Sequence, residues 1–309
     1  MIYTLTLNTA IDMNITTQGM LPNKVNRTQS VKYSPNGKGV NVSVVLKHNE
    51  VRNRIIGVFG GFSGRYIVDE LNAQGHEVSP VWVDEPTRIN VFAHDGQDEF
   101  KLVSPGSFVS REKQKEMLGM IKHFTDMDYL VISGSLPPGI ALSFYDELLL
   151  LLKGKGVKVI LDISSPKLED LLKYEPLLIK PNDDELREVF SLDVNEMPVL
   201  EIMEELHGKG AQNILLTMGA RGLYFSDGSK VYGCDAPSVK LLSSACAGDA
   251  CLGAFLSEWL LGGDMEYALK KASATGASVA ESEGIGTLEN VESYIKKVNV
   301  KTILQEGVL

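Results

Sequence analysis

The sequence runs to 309 residues with a formal net charge of −10 at pH 7, enough chain for a large α/β core and the wrong sign for a non-specific nucleic-acid or anionic-membrane binder. Cys234, Cys246 and Cys251 make no CxxC pair and the five histidines no HExxH, a pattern that excludes a disulfide framework and a zinc site. The opening MIYTLTLN alternates like a strand and not like a signal peptide, and runs such as Leu148–Leu152 are too short for a bilayer, so a cytoplasmic chain is expected.

Ile2–Leu7 reads as the first strand. Asp12–Tyr33 is polar and partly alternating, with Pro22 and Asn23 as a turn, and is expected to form short strands outside the main core. Gly37-Lys38-Gly39 opens a helix to about Asn49, Arg54–Phe59 is a strand, and Gly60-Gly61 leads to a helix over Gly64–Ala73. Thr87–Ala93 and Glu99–Val103 alternate around the turn His94–Gln97 and predict an exposed hairpin. From Arg111 helix and strand alternate: helices over Arg111–Phe124, Ser143–Lys153, Asp183–Phe190 and Val199–Lys209, strands over Tyr129–Ser133, Val157–Asp162, Leu177–Ile179 and Asn213–Thr217. A hairpin over Gly222–Val231 turns at Asp227-Gly228, and Val239–Leu242 looks like the end of another strand. After a tight Ala247-Gly248-Asp249 turn, Ala250–Leu261 reads as a buried helix, followed by helices over Glu266–Ala280 and Glu289–Val298. This rhythm predicts one α/β domain over 1–309: a mostly parallel sheet covered on both faces, with a β appendage from about 12–35 and 87–104.

Polar or glycine-rich turns follow at least five of these strands, at the sheet edge where open α/β folds bind ligands. Asp12, just past the first strand, suits sugar hydroxyls. Gly37, Lys38 and Gly39 offer close backbone approach and a point charge for a phosphate, without the spacing of a Walker loop or a dinucleotide GxGxxG. The missing GxGxxG also argues against a nicotinamide-dependent oxidoreductase. Arg88 and Asn90 share one strand face, with Lys101 opposite. Ser135 stands in the Ser133–Gly139 turn. Asn182 and Glu185 have the spacing of a capping box, and equally of a pair ordering a hydrated Mg²⁺. Thr217, Gly219 and Gly222 form a turn suited to a nucleotide. The turn Cys246-Ala247-Gly248-Asp249 aims unpaired N–H groups and a helix dipole outward, with a carboxylate in its mouth able to take a proton from an attacking hydroxyl. Together these describe a phosphoryl-transfer site without a P-loop.

The order N-T-A-x-D, G-K-G-x-N, T-R-I-N, S-G-S-L-P, K-P-N-x-x-E, T-M-G-x-x-G and A-G-D, from Asn8 to about Gly286, resembles the PfkB (ribokinase-like) carbohydrate kinases, in particular the 1-phosphofructokinase and tagatose-6-phosphate kinase branch. The resemblance implies a ribokinase-like three-layer α/β/α sandwich with a β lid that is often shared between subunits of a dimer. It implies Asp249 as base and Ala247 and Gly248 as anion hole. Asp12, Gly39 and Asn41 would hold the sugar, and Lys38, Arg88 and Arg27 its phosphate. Lys180, Asn182 and Thr217 to Gly222 would line the ATP site, with Glu185 acting through Mg²⁺. Fructose 1-phosphate is the first expected substrate, tagatose 6-phosphate the second; a non-catalytic sugar-phosphate binder is the alternative from another class. Three departures stand out: Cys246 replaces the first glycine of G-A-G-D, Thr9 replaces a proline, and Phe92 stands where a lysine is common, which would pass a phosphate contact to Lys101.

Overall fold

The computed structural model describes residues 1–303. Strand β1 (Ile2–Thr6) lies inside a large sheet, and the chain leaves it for two strands of a separate small sheet, β2 (Ala10–Thr17) and β3 (Thr28–Asn36). It returns through α1 (Lys38–His48) to β4 (Asn53–Gly60), α2 (Gly61–Ala73) and β5 (Glu77–Val83). Strands β6 (Arg88–His94) and β7 (Glu99–Leu102) complete the small sheet. There follow α3 (Arg111–His123), β8 (Tyr129–Ser133), α4 (Ser143–Lys155), β9 (Lys158–Asp162), the short α5 (Leu168–Leu171) and β10 (Leu178–Ile179). Helices α6 (Asp183–Phe190) and α7 (Val199–Gly208) lead to β11 (Ile214–Thr217), β12 (Leu223–Ser226) and β13 (Val231–Cys234). The last described elements are α8 (Ala247–Trp259), α9 (Met265–Ala280), α10 (Val291–Ile295) and β14 (Val300–Ile303).

The large sheet runs β14-β13-β12-β11-β10-β9-β8-β1-β4-β5. Every pair from β5 to β11 is parallel, and β12, β13 and β14 add antiparallel edges. From β1 the chain builds outward through β4 to β5, then restarts at β8 on the other side of β1. The β1/β8 junction is thus the topological switch point, with the carboxyl edge beside it open to a ligand.

Strand alternation divides the core into two layers. Tyr3, Leu5, Leu130, Ile132, Leu161, Ile179 and Leu216 face a cluster with α3, α4, α6 and α7. Ile2, Val131, Ile160, Leu178 and Leu215 face α1, α8 and α9. These side chains are 0–4 % exposed, and each stabilises the fold by about 1.5–3 kcal/mol through burial. The expected three-layer α/β/α arrangement follows. On the α8 side the helices cross closely: a Cβ on Gly253 would stand 2.8 Å from Val45 Cβ and 2.9 Å from the Val42 carbonyl oxygen. A similar intimacy presses α1 onto β1, where a Cβ on Gly39 would lie 2.6 Å from Thr6 Oγ1.

The small sheet, ordered β3-β2-β6-β7, has one polar and one apolar face. The register Asp12↔Asn90, Asn14↔Phe92 and His94↔Glu99 puts the polar set together, while Met13↔Tyr33, Ile15↔Val31 and Val91↔Leu102 make the other face. Ile11 and Ile89 anchor that apolar face on β4 through Phe59 and on α2 through Ile67 and Leu71.

Three expectations change. Val239–Leu242 pairs with no strand; Leu241 and Leu242 are exposed and the segment is a loop. Strand β5 falls in a segment to which the sequence reading assigns no element, and it tolerates Pro80 because it is the edge of the sheet and bonds to β4 alone. Helix α10 is shorter than its pattern, ending at Ile295. No helix among the described residues is long and apolar enough to cross a membrane.

Candidate active site

Helix α8 starts at Cys246, a left-handed residue (φ 64°) whose side chain does not cap the helix. The first-turn N–H groups of Ala247 and Gly248 therefore face the sheet edge as an anion-attracting end. Asp249, third residue of the helix and 7 % exposed, accepts a hydrogen bond on Oδ2 from Asn41 Nδ2 at 2.8 Å. Burial pushes its carboxyl up to about 6; Asp162 adds to the rise, and Lys38, Asn41 and Lys180 oppose it.

On one side of Asp249 lies a charged cluster. Asp162, the fully buried end of β9, receives Lys180 Nζ at 3.0 Å and Lys38 Nζ at 3.4 Å on the same Oδ1, while its Oδ2 has no partner among the described residues. Burial alone would raise the Asp162 carboxyl, but the two ammoniums outweigh it and hold it below its ordinary value. Burial would likewise lower both lysines, yet the surrounding carboxylates keep them above theirs. Lys38 also donates to Ser164 Oγ at 3.1 Å, and Ser164 Oγ donates to Glu185 Oε1 at 2.6 Å. The other Glu185 oxygen accepts the Asn182 N–H at 3.0 Å, and Asn182 Oδ1 accepts the Glu185 N–H at 2.7 Å, so the capping box does form. Thr217 is bridged to Asn182, and the Gly219–Arg221 turn beyond it is tied to the start of α6 by Arg221 donating to Asp183 at 2.6 Å. Gly222 (φ 92°) closes that turn where a Cβ would strike the Cys234 carbonyl.

The other side is built of amides. Asp12, 6 % exposed, accepts from Asn90 Nδ2 at 2.8 Å on Oδ1 and from Asn36 Nδ2 on Oδ2. Burial raises its carboxyl against Asn90, Asn36 and Arg88. Asn90 Oδ1 is buried and unpartnered among the described residues, an acceptor waiting for a hydroxyl. A cavity of about 230 Å³ opens here, lined by Asp12, Asn14, Phe92 and His94 of the small sheet and by Cys246 and Glu283 opposite.

An uncapped helix end with a buried carboxylate in its mouth, and one buried and one half-buried lysine beside it, has the chemistry for phosphoryl transfer to a hydroxyl. Residues 5–291 match the pfkB family carbohydrate kinase pattern. The chain belongs to the pfkB family of carbohydrate kinases. A D-tagatose-1-phosphate kinase of Klebsiella oxytoca is 54% identical over 301 residues, 97% of this chain and 99% of that one. A 1-phosphofructokinase of Bacillus subtilis is 31% identical over 301 residues, again 97% and 99%. Among solved structures, phosphofructokinase-2 from Escherichia coli in complex with substrates and products aligns with a TM-score of 0.89 at 25% identity, over 96% of this chain and 98% of that one. This pfkB chain is thus a sugar-phosphate kinase, a phosphotransferase with an alcohol acceptor, on the ribokinase-like fold.

Within this pfkB kinase the structure brings together Asp12, Gly37, Lys38, Gly39, Asn41, Asn90, Lys180, Asn182, Glu185 and the Cys246–Asp249 turn. Lys38 points its ammonium to the Asp162 cluster. Arg88 is engaged with backbone, donating to the Ser104 carbonyl at 2.9 Å and the Asn8 carbonyl at 3.0 Å, with Nε buried and unpartnered among the described residues. Asn8 Nδ2 reaches Ser135 Oγ at 3.2 Å, which joins Ser135 to the same corner. Lys101 shares the polar face of the small sheet but pairs with Glu99 at 3.1 Å. Arg27 is not brought in: it sits in the exposed segment between β2 and β3 without a partner among the described residues. Asp162, Ser164 and Asn36 escape sequence reasoning. Asp162 ends a predicted strand and Asn36 precedes the glycine turn, but neither carries a spacing that names a role.

Proposed function

We propose that the chain transfers the γ-phosphoryl of ATP to the free primary hydroxyl of D-tagatose 1-phosphate, giving tagatose 1,6-bisphosphate. The observation that carries the transfer is Asp249 in the mouth of an uncapped helix, buried, held by Asn41 and flanked by the buried Lys180 and the half-buried Lys38. The hydroxyl oxygen bonds to the γ-phosphorus in line with the departing bridging oxygen, its proton passes to Asp249, and ADP leaves. The N–H groups of Ala247 and Gly248 meet the charge of the transferring group, aided by Lys180, whose Nζ stands 3.5 Å from where a Gly248 Cβ would be. Thr217, Gly219 and Gly222 lie along the nucleotide. Asp12, Asn90 and Asn41 orient the sugar, and Arg88 with Ser135 lies towards its existing phosphate.

No three His, Cys, Asp or Glu side chains form a metal cluster among the described residues. Glu185, with Asn182 beside it, would hold a hydrated Mg²⁺, a hard ion that prefers one or two carboxylates together with water and substrate phosphates. When bound, the ion would neutralise phosphate charge, while Asn182 holds Glu185 in place.

Tagatose 1-phosphate replaces fructose 1-phosphate as the leading substrate because the tagatose-1-phosphate kinase relative is 54% identical against 31% for the 1-phosphofructokinase. ADP release from Mg-ATP with tagatose 1-phosphate, fructose 1-phosphate, tagatose 6-phosphate and fructose 6-phosphate side by side tests this. The highest kcat/KM is expected with tagatose 1-phosphate. Preference for fructose 1-phosphate would move the assignment to its C4 epimer, and preference for either 6-phosphate would reverse the orientation of the sugar. The setting is cytoplasmic, in keeping with free cysteines. The apolar face of the lid, where Val31, Tyr33, Phe100 and Leu102 are 41–62 % exposed, is proposed to pair with a second copy, a state that light scattering reads directly.

A further inference from the structure

The two carboxylates of the site belong to different parts of the chain. Asp12 is carried by the lid strand β2, and Asp249 by α8 in the body. One side chain touches the surroundings of both. Asn36, the last residue of β3, donates through Nδ2 to Asp12 Oδ2, and its Oδ1 accepts from Asn41 Nδ2 at 3.3 Å and from the Gly37 N–H. Asn41 is the residue whose amide reaches Asp249 at 2.8 Å. Both amides converge on one sulfur, with Cys246 Sγ 3.2 Å from Asn41 Nδ2 and 3.6 Å from Asn36 Nδ2.

We propose that Asn36 is a positioning residue for the transfer: it fixes Asp12 from the lid and, with Cys246 as shared acceptor, fixes Asn41 against Asp249, so that sugar seated on Asp12 and the orientation of the base are set together. The inference rests on the reading that Asp12 holds the sugar and Asp249 is the base. Its physical content is a count of donors. Asp12 has two amide donors, one per oxygen, and losing Asn36 frees one oxygen to rotate. Asn41 has one amide group to share between Asp249, Cys246 and Asn36, and the Asn36 carbonyl helps hold that group so that it keeps a hydrogen on Asp249. The connection is short because Gly37 (φ 146°) turns the chain from the lid into α1 directly after Asn36; a Cβ at Gly37 would strike Thr6 Cγ2 at 2.6 Å.

The test uses N36A, the near-isosteric N36D, C246A and the double variant N36A/C246A. Turnover and calorimetric sugar-phosphate binding are measured with the same four sugar phosphates. N36A should raise the sugar-phosphate KM and Kd about 10-fold and lower kcat, the scale of a hydrogen bond to a charged group, without moving the ATP KM. N36D keeps the shape but sets an acceptor against Asp12, so it should lose more than N36A, whereas a purely space-filling role would leave it active. The acid limb of kcat should move to higher pH in N36A, because Asn41, the amide that donates to Asp249, loses the Asn36 carbonyl that helps hold it. The charged groups facing Asp249, namely Lys38 from α1, Asp162 from β9 and Lys180 after β10, are untouched by the variant, while the Cys246 thiol at the start of its own helix loses the Asn36 amide and keeps that of Asn41. The double variant should be no worse than the more damaged single one. Additive losses in the double, or unchanged sugar KM in N36A and N36D, would overturn the proposal. Wild-type binding without turnover would break the functional reading while leaving the binding arm to judge Asn36. Absence of both in the wild type would remove both.

Discussion

The two flanks of Asp249 solve opposite problems with different chemistry. Towards β9 and β10 the site is ionic: two ammoniums share one oxygen of a fully buried carboxylate, and Glu185 is held within 3.9 Å of Lys38. Towards the lid it is built of neutral amides, with Asn36, Asn41 and Asn90 disposed around two carboxylates. A cluster of fixed charge suits a polyanion, whose field is strong and whose recognition needs little stereochemistry. Amides around a carboxylate suit a sugar, whose hydroxyls are told apart by the direction of single hydrogen bonds. Asp249 sits between them, with Lys38, Lys180 and Asp162 acting on it from one side and the Asn41 amide from the other.

The largest break in that comparison is at its centre. D249N should lower kcat by about 10²–10⁴-fold, the usual range for a general base, with ATP binding retained in a calorimetric titration. The folded carboxyl lies above its unfolded value, so ionising it costs the folded state stability, a cost that grows as pH rises from the unfolded value through about 6. D249N removes that cost, and its Tm at pH 8 should hold or rise; a clear fall would show that the carboxylate is a structural ion pair. On the ionic flank K180M should lower kcat by about 10²-fold and cost on the order of 3 kcal/mol of stability, since it takes one of two cations from a buried carboxylate. Denaturant melts and initial rates report the two losses separately. On the amide flank N90A should raise the sugar-phosphate KM about 10-fold and leave the ATP KM alone; equal movement of both would erase the division of labour. In the wild type, kcat should fall on the acid side with a midpoint near pH 6 as Asp249 takes up its proton, and a profile flat to pH 5 would contradict the base. The smallest effect belongs to C246G, which relieves a left-handed non-glycine residue and should shift stability by no more than about 1 kcal/mol, upward.

Much of the fold is legible in the amino-acid order, for physical reasons. The apolar runs in Tyr129–Ser133 and Val157–Asp162 fold as the expected strands, buried on both faces, and the long apolar helix forms too, although it starts at Ala247, so that the expected Ala247-Gly248-Asp249 turn is its first turn. Strand β5 escapes because Pro80 contradicts a central strand and only its place at an edge excuses it. Val239–Leu242 misleads because exposed leucines imitate a strand when nothing says whether a partner exists. In the site, glycine turns and the N-x-x-E spacing are local and therefore readable. Asp162 is different: its role arises only when Lys38, 124 residues away, arrives beside Lys180, and no spacing records that meeting. Asn36 is hidden likewise, since its partners Asp12, Asn41 and Cys246 come together only in three dimensions.

The close crossing at Gly253 has a mechanical consequence. With no Cβ to hold them apart, α1 and α8 are clasped along Val42 and Val45, so the helix ends that bear Lys38 and Ala247 form a single anvil. The small sheet joins that anvil through the turn at Gly37 and rests on α2 by an apolar contact, a much lighter attachment. A displacement of the small sheet would therefore carry Asp12 with it, while the spacing of Lys38 and Asp249 would stay set by the two helices.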